Sequence, residues 1–194
     1  NVQVQAQYQS SLTQTVNLEF TPPAPTYFDL TATPKQAYVK GASGTHESTV
    51  TAYVTDSDSV PLQDTTLTFT ASRGYLTSTV SPDNRTVTVQ ETLNDGIARV
   101  TFHSDSLTAA GGITITITAS SLNYSEQVLT VLGGEPDKIA LSIGSREDLQ
   151  NGFYSAPVSA LVQDKFSNIV SGDYVVYFSI VSTSSDSTEA SIES

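Results

Sequence analysis

Cysteine, methionine and tryptophan are absent from the 194-residue chain. Without cysteine there is no disulfide framework, no thiolate nucleophile and no cysteine-ligated zinc or iron–sulfur site. Histidine is scarce, since only His46 and His103 occur, and no G-x-S-x-G nucleophile elbow accompanies them. We therefore expect a non-enzymatic protein with no catalytic residue and no bound cofactor.

Positive charge is also in short supply. Eight Lys and Arg stand against 20 Asp and Glu, which gives a formal net charge of −12 and a pI near 4.2. A surface this acidic repels nucleic-acid phosphates and anionic lipid headgroups, so neither is expected as a partner. No apolar run approaches the roughly 18 residues that a membrane-spanning helix needs, and we expect no membrane insertion in this segment.

What the chain has in abundance is serine, threonine and regular alternation. Ser and Thr together number 54, and residues 2–9 and 113–118 alternate strictly between apolar and polar side chains. This period of two is typical of half-buried antiparallel strands. Turn formers such as Asn94-Asp95-Gly96 separate the strands, and no segment has the apolar stripe of a helix. The sequence predicts an all-β fold of the sandwich type.

A repeat of about 110 residues organises the chain. Leu30 corresponds to Leu141 at an offset of 111, and Ala52 corresponds to Ala160 at an offset of 108. This length matches an immunoglobulin-like sandwich. The register predicts that 1–24 are the last strands of one domain, 25–134 a complete domain, and 135–194 the first part of a third.

The same register predicts which residues form the core and the joints. Alternation in the complete domain assigns these side chains to its core: Val54, Leu67, Phe69, Val100, Phe102, Ile115 and Ile117. The joints between domains are short, and the first should be stiff because proline fixes φ. The joint residues are Pro22, Pro23, Pro25 and Tyr27 at the first joint, and Gly133, Gly134 and Pro136 at the second.

Three stretches resemble the bacterial immunoglobulin-like domains of the invasin and intimin type: 30–34 (Leu-Thr-Ala-Thr-Pro), 48–56, and 93–102, where a turn precedes a core strand. Residues 135–194 depart from this pattern because its later half is missing. The resemblance implies tandem, non-catalytic domains that stack into stalks of bacterial adhesins and other surface proteins. It further implies a location outside the cell, at its surface, with neighbouring domains of the same chain or fibre as partners.

Two binding hypotheses stand beside the stalk. Asp56, Asp58 and Asp64 could ligate Ca²⁺, although aspartate is also a common turn former, which we favour. The nine tyrosines could form a platform that stacks on a glycan or contacts a host receptor, although core or joint packing is the favoured role. The triplets at Asn84 and Asn123 would be glycosylation acceptors in a eukaryotic or archaeal secreted chain.

The uncharged strand at 2–8 presents an edge that invites pairing with another sheet. It could complete the partial third domain of a neighbouring copy, which would give a head-to-tail filament. The alternative is that the chain is a segment of a longer array of tandem domains. We favour the longer array, because the strand equivalent to 98–102 would be missing from the exchanged domain.

Overall fold

The computed structural model describes residues 2–8, 12–18, 23–120, 122–150 and 152–180. Within these ranges the chain forms strands, turns and extended segments without a helix, and none of the described segments could cross a membrane as a helix. In chain order the strands are β1 (Val2–Tyr8), β2 (Leu12–Leu18), β3 (Tyr27–Thr33), β4 (Gln36–Tyr38), β5 (Glu47–Thr55), β6 (Thr66–Ala71), β7 (Tyr75–Ser78), β8 (Thr88–Thr92), β9 (Ile97–His103), β10 (Ala109–Ala119), β11 (Leu122–Leu132), β12 (Lys138–Ile143), β13 (Glu147–Gln150), β14 (Phe153–Ser155) and β15 (Val158–Gln163).

The chain separates into two compact units. The first draws on 1–35, 47–103 and 112–129, and the second on 36–46, 104–111 and 130–194. This grouping differs from the predicted boundaries because two segments of the middle repeat, 36–46 and 104–111, pack with the residues after 130. One cause is strand β4, which pairs in parallel with Thr130–Leu132 at the end of β11. The division into 1–24, 25–134 and 135–194 stays a prediction.

Two sheets account for the middle of the chain. The strand order is β3-β5-β9-β7 in one sheet and β4-β11-β10-β6-β8 in the other. The first sheet is antiparallel throughout, and β10 and β8 flank β6 in antiparallel pairing in the second. A four-stranded sheet and a five-stranded sheet, each largely antiparallel, form the arrangement of an immunoglobulin-like sandwich. The all-β sandwich prediction is confirmed.

The core of the first unit follows the alternation of the sequence. Along β5 and along 113–119 of β10, every second side chain is buried, and threonines such as Thr49 and Thr116 lie on the more exposed face between them. The seven predicted core side chains are each exposed by 1% or less. Branched Val, Ile and Thr suit this pleated surface, and burying each large apolar side chain stabilises the fold by about 1.5–3 kcal/mol.

The second unit contains the strands that correspond to β3 and β5. In the β12–β15 ladder Leu141 lies opposite Ala160, as Leu30 lies opposite Ala52 in the β3–β5 ladder. The paired residues keep the offsets of 111 and 108 found in the sequence. Strands β13 and β14 form a separate hairpin between them.

One strand predicted from alternation, residues 175–180, is not part of a sheet. Its counterpart β6 is hydrogen-bonded on both sides, by β8 and by β10. The described residues of the second unit supply no equivalent of those two neighbours. Alternation alone therefore does not make a strand here, because a strand needs partners for its backbone N–H and C=O groups.

Candidate functional site: the Asp164 cluster

A buried aspartate binds one of the residues predicted to form the second joint. Asp164 follows directly after β15 and is 1% exposed. Its Oδ1 accepts hydrogen bonds from the backbone N–H groups of Phe166 and Asn168, both at 2.9 Å. Its Oδ2 accepts the N–H of Gly134 at 3.0 Å, so the carboxylate joins the end of β15 directly to the joint.

Asn168 extends this network to a third segment. Its Nδ2 donates to Oδ2 of Asp164 at 2.9 Å and to the carbonyl oxygen of Ser106 at 2.8 Å. Its Oδ1 accepts the N–H of Thr108 at 3.0 Å. We call Ser106, Thr108, Gly134, Asp164 and Asn168 the Asp164 cluster. The cluster links residues that lie about 30 and 60 positions apart in the sequence, all within the second unit.

The middle repeat contains the same turn without the additional links. Oδ1 of Asp56 accepts the N–H groups of Asp58 and Val60, both at 2.9 Å. The residue before Val60 and the residue before Asn168 both adopt positive φ, 62° and 70°. Such Asx turns form because a short carboxylate can replace a backbone acceptor. The difference lies at the fifth position of the turn, where exposed Val60 stands in place of buried Asn168.

Close packing requires a glycine at position 133. A Cβ added to Gly133 would collide with the carbonyl oxygen of Ile169. One added to Gly134 would lie 3.0 Å from the Cβ of Ala42, which would have to shift by a few tenths of an ångström. Gly133 and Gly134 are buried, whereas Pro136 is exposed.

Hydrogen bonding keeps the Asp164 carboxyl ionised. Burial opposes the charged form, but the donors from Gly134, Asn168 and Phe166 outweigh it and hold the pKa of Asp164 below its ordinary value. The cluster therefore carries a buried negative charge compensated by directed N–H groups rather than by a cation.

Two further contacts reinforce the same region. Nζ of Lys165 donates to the carbonyl oxygen of Gly41 at 3.0 Å, and the hydroxyl of Ser43 donates to the carboxylate of Glu135. Each ties the loop after β4 to a residue next to the cluster. Two side-chain hydrogen bonds therefore hold this loop within the second unit.

At the first joint, the structure describes fewer of the predicted residues. Pro22 lies outside the described residues. Pro23 is exposed, Pro25 is half-buried, and Tyr27 begins β3 with more than half of its surface exposed. Packing of Tyr27 against a preceding domain stays a prediction.

The predicted calcium site is not formed. Oδ1 of Asp56 is occupied by the N–H groups of its own turn. Within the described ranges, no three His, Asp or Glu side chains converge in a way that could hold a metal ion. Asp56, Asp58 and Asp64 thus do not form a ligand set. The favoured turn role agrees with the hydrogen bonds of Asp56.

The sequence did not predict a network around the buried side chain of His103. Nε2 of His103 lies 3.0 Å from Oγ1 of Thr77, and its Nδ1 lies 2.9 Å from Oε1 of Glu47. This order of hydroxyl, imidazole and carboxylate resembles a hydrolytic triad. Thr77 and His103 are both buried, however, so a substrate cannot reach the hydroxyl. The network instead connects β5, β7 and β9. Only the cross-strand register, which the sequence does not reveal, brings the three together.

The His103 network predicts a dependence of stability on pH. Burial and the nearby charge of Arg85 lower the pKa of His103, and Glu47 offsets this only in part. Because the unfolded pKa is about 6.5, stability is full above that pH and is lost as the pH falls through the lower folded value. We expect the urea midpoint of the first unit to fall between pH 7.5 and pH 5.5. His103→Gln should flatten this slope, and an unchanged slope would contradict the assignment.

Asn168→Val tests the Asp164 cluster without destroying its turn, because the middle repeat forms the same turn with valine. The change leaves the Thr108 N–H and the Ser106 carbonyl without a partner, so we expect a loss of about 1–3 kcal/mol in the second unit. Hydrogen exchange at the Thr108 and Gly134 amides measures it. Val60→Asn is the matched control and should leave stability unchanged. Equal protection in Asn168→Val and wild type would show that the side-chain links contribute nothing.

Comparisons with known proteins give a likeness to solved structures. No protein-family model matches the sequence, and no curated protein matches it. Among solved structures, the Yersinia pseudotuberculosis adhesin InvE is similar with a TM-score of 0.40 and 18% identity, over 74% of this chain and 36% of that one. This chain therefore spans little more than a third of that adhesin. A TM-score below 0.5 does not establish a common fold, and the sandwich assignment stands on strand pairing and burial.

Proposed function

We propose that this chain is a non-catalytic stalk segment of an extracellular bacterial surface protein of the adhesin type, built from tandem immunoglobulin-like domains. The observation that carries the proposal is the Asp164 cluster. A buried, ionised side chain at a joint is costly unless many donors compensate it. Such a network is well suited to holding a joint in one geometry, which a stalk requires and a flexible linker does not.

The mechanical argument follows from the sheet arrangement. One immunoglobulin-like sandwich spans roughly 40 Å, from about twelve extended residues at 3.3 Å each. Because each predicted joint is short, successive domains of a stalk would add their lengths. Tension between the ends of a domain would be resisted by backbone hydrogen bonds between strands, with no disulfide needed.

Small-angle X-ray scattering of the full chain tests the proposal. An elongated particle is expected, with a pair-distance distribution skewed toward long distances. A symmetric distribution typical of one compact globule would contradict a stalk.

A second candidate function is the binding of a glycan. Tyr38 and Tyr174 line an open cleft of about 410 Å³ in the second unit together with Ser43 and Glu135. Two aromatic rings beside hydroxyl and carboxylate groups are the side chains that stack on a sugar and bond its hydroxyls. Glycan-array screening tests this function. Signals that disappear in Tyr174→Ala would favour a binding module, and an array without signals would leave the stalk as the sole proposal.

A further inference from the structure

The open cleft beside Tyr38 and Tyr174 adjoins a second, smaller hollow in the second unit. The hollow has a volume of about 190 Å³, well above the roughly 10–15 Å³ that a single water needs. Ser43, Gly134 and Glu135 line both spaces, so the two spaces meet at these residues. We call the larger space the aromatic cleft. A ligand bound in the aromatic cleft can therefore extend one of its groups into the hollow.

A glycine packs behind each ring of the aromatic cleft. A Cβ added to Gly44 would lie 2.6 Å from the ring of Tyr38, and one added to Gly172 would lie 3.0 Å from the ring of Tyr174. Both glycines have positive φ, 109° and 142°, which residues with a Cβ rarely adopt. Tyr38 and Tyr174 are 37% and 49% exposed. Each ring is therefore supported on one side, while part of its surface stays open to a ligand.

The smaller space, which we call the Lys165 hollow, combines an apolar wall with charges of both signs. Its apolar side chains are Val39, Ala42, Pro136 and Phe166. Its charged side chains are Glu135, Asp137, Asp164 and Lys165. Nζ of Lys165 lies 5.0 Å from the centre of the Phe166 ring, so the positive charge is next to an aromatic surface.

The turn that supplies Lys165 and Phe166 does not require either side chain. At the offset of 108, the same turn of the middle repeat has Ser57 and Asp58 in their place. Asp56 there accepts the same two backbone hydrogen bonds. Because the turn forms without a lysine and a phenylalanine, these two side chains are available for a role outside the turn.

Lys165 and Glu135 both keep hydrogen-bonding capacity in the hollow. An ammonium group has three donors, and Nζ of Lys165 uses one of them for the carbonyl oxygen of Gly41. Oε1 of Glu135 accepts the hydroxyl of Ser43. Within the described residues, the ammonium and the carboxylate do not form an ion pair with each other. The hollow thus presents a donor and an acceptor that are separate from each other.

A neutral amide suits this donor and acceptor better than a charged group does. Its N–H can donate to the carboxylate and its carbonyl oxygen can accept from the ammonium, and both hydrogen bonds are charge-assisted. A ligand carboxylate would meet the like charges of Glu135, Asp137 and Asp164, and a ligand ammonium would meet that of Lys165. Such juxtaposition of like charges is unfavourable.

From this arrangement we infer that the site binds a sugar that carries an acetamido group, which is an N-acetylhexosamine unit of a glycan. The sugar ring stacks on Tyr38 or Tyr174 in the aromatic cleft, and the acetamido group enters the Lys165 hollow. There its N–H donates to Glu135, its carbonyl oxygen accepts from Lys165, and its methyl group packs on Phe166. This inference rests on the glycan-binding candidate function and names the class of sugar.

Two trisaccharides test the inference on the wild-type chain by isothermal titration calorimetry. Triacetylchitotriose and cellotriose have the same linkage, and each ring carries an acetamido group in the first where the second has a hydroxyl group. We expect triacetylchitotriose to bind at least about tenfold more tightly, because only its amide can form both charge-assisted hydrogen bonds. Equal affinities would overturn the inference and leave the glycan-binding function standing. If neither trisaccharide binds, the inference is overturned, and the glycan array decides whether the site binds other sugars.

Nuclear magnetic resonance titration of the isotope-labelled chain locates each part of the ligand. The backbone amides of Gly44 and Ser171 in the aromatic cleft should shift with both trisaccharides. Those of Gly41, Ala42 and Phe166 in the Lys165 hollow should shift with triacetylchitotriose but not with cellotriose. Shifts in the hollow with both ligands, or with neither, would contradict the placement of the acetamido group.

Lys165→Met removes the ammonium group and keeps an unbranched side chain. Its affinity for triacetylchitotriose should fall by about tenfold, whereas its affinity for cellotriose should stay unchanged. Lys40→Met is the matched control, because Lys40 is exposed and lines neither space. It should bind both trisaccharides as the wild type does. An unchanged preference for triacetylchitotriose in Lys165→Met, or an equal loss for both trisaccharides, would exclude Lys165 as the donor to the acetamido group.

Discussion

Phe102→Ala is expected to lower the unfolding free energy of the first unit by about 3–5 kcal/mol, the largest effect of any single change considered. Phe102 lies in β9, is fully buried, and stands in cross-strand pairs with Ser48 and Leu76. Removal of its ring leaves a cavity between the two sheets. The lost transfer free energy and the cavity both contribute to the cost.

Urea unfolding monitored by far-ultraviolet circular dichroism measures this effect. Val80→Ala is the control, because Val80 is 81% exposed and its truncation should change stability by less than about 0.5 kcal/mol. A Phe102→Ala variant as stable as Val80→Ala would mean that the side chain is not in the core.

Asp164→Asn is expected to cost about 3 kcal/mol in the second unit, although the side chain keeps its size. The buried carboxylate accepts bonds on both oxygens, from the backbone of Phe166, Asn168 and Gly134. An asparagine amide has one acceptor oxygen and one NH₂ group. In either orientation of the amide, its NH₂ group would face a backbone N–H that the carboxylate accepts in the wild type. Loss of amide protection at Gly134 in hydrogen exchange reports the effect directly.

The matched control is Asp56→Asn. Asp56 uses only Oδ1 for its two turn bonds, and an asparagine oxygen can accept both. Its cost should therefore stay below about 1 kcal/mol. Similar losses in the two variants would indicate that the turn alone, rather than the link to Gly134, explains the conservation of geometry between the two repeats.

The Asp164 pKa adds a dependence on acid to the same prediction. Because the folded pKa lies below the ordinary value, the stabilisation is complete above about pH 3.9 and is lost as the pH falls through the folded pKa. Protection of Gly134 in the wild type should decline in that acidic range. Asp164→Asn has no carboxyl to protonate and should show low protection throughout.

Period-two alternation was sufficient to predict the sandwich and its core. Leu67, Phe69 and Ile115 are buried because alternate side chains of a strand face the same layer. The offsets between Leu30 and Leu141 and between Ala52 and Ala160, which the sequence shows as a repeat, recur in the register of β12 against β15. These features depend on local pattern and on spacing, which a sequence carries explicitly.

The candidate site depends on contacts between residues far apart in the sequence, which local patterns do not predict. Gly134 was predicted as a joint residue, but its hydrogen bond to Asp164 follows from how the chain folds after β15. Asn168 carried a detectable signal, since it replaces Val60 of the middle repeat with a residue able to donate and accept. His103 and Thr77 meet only through the register of β7 and β9, which no short-range pattern specifies.

A distance measurement within the second unit tests the central claim most directly. Spin labels at Leu107→Cys, between Ser106 and Thr108, and at Ala140→Cys in β12, both exposed positions of this unit, report the distance by double electron–electron resonance. A single narrow distance distribution is expected in the otherwise wild-type chain, and a broad one is expected once Asn168→Val removes the links to Ser106 and Thr108. A broad distribution in both proteins, or the same narrow one in both, would contradict a second unit held together by the Asp164 cluster.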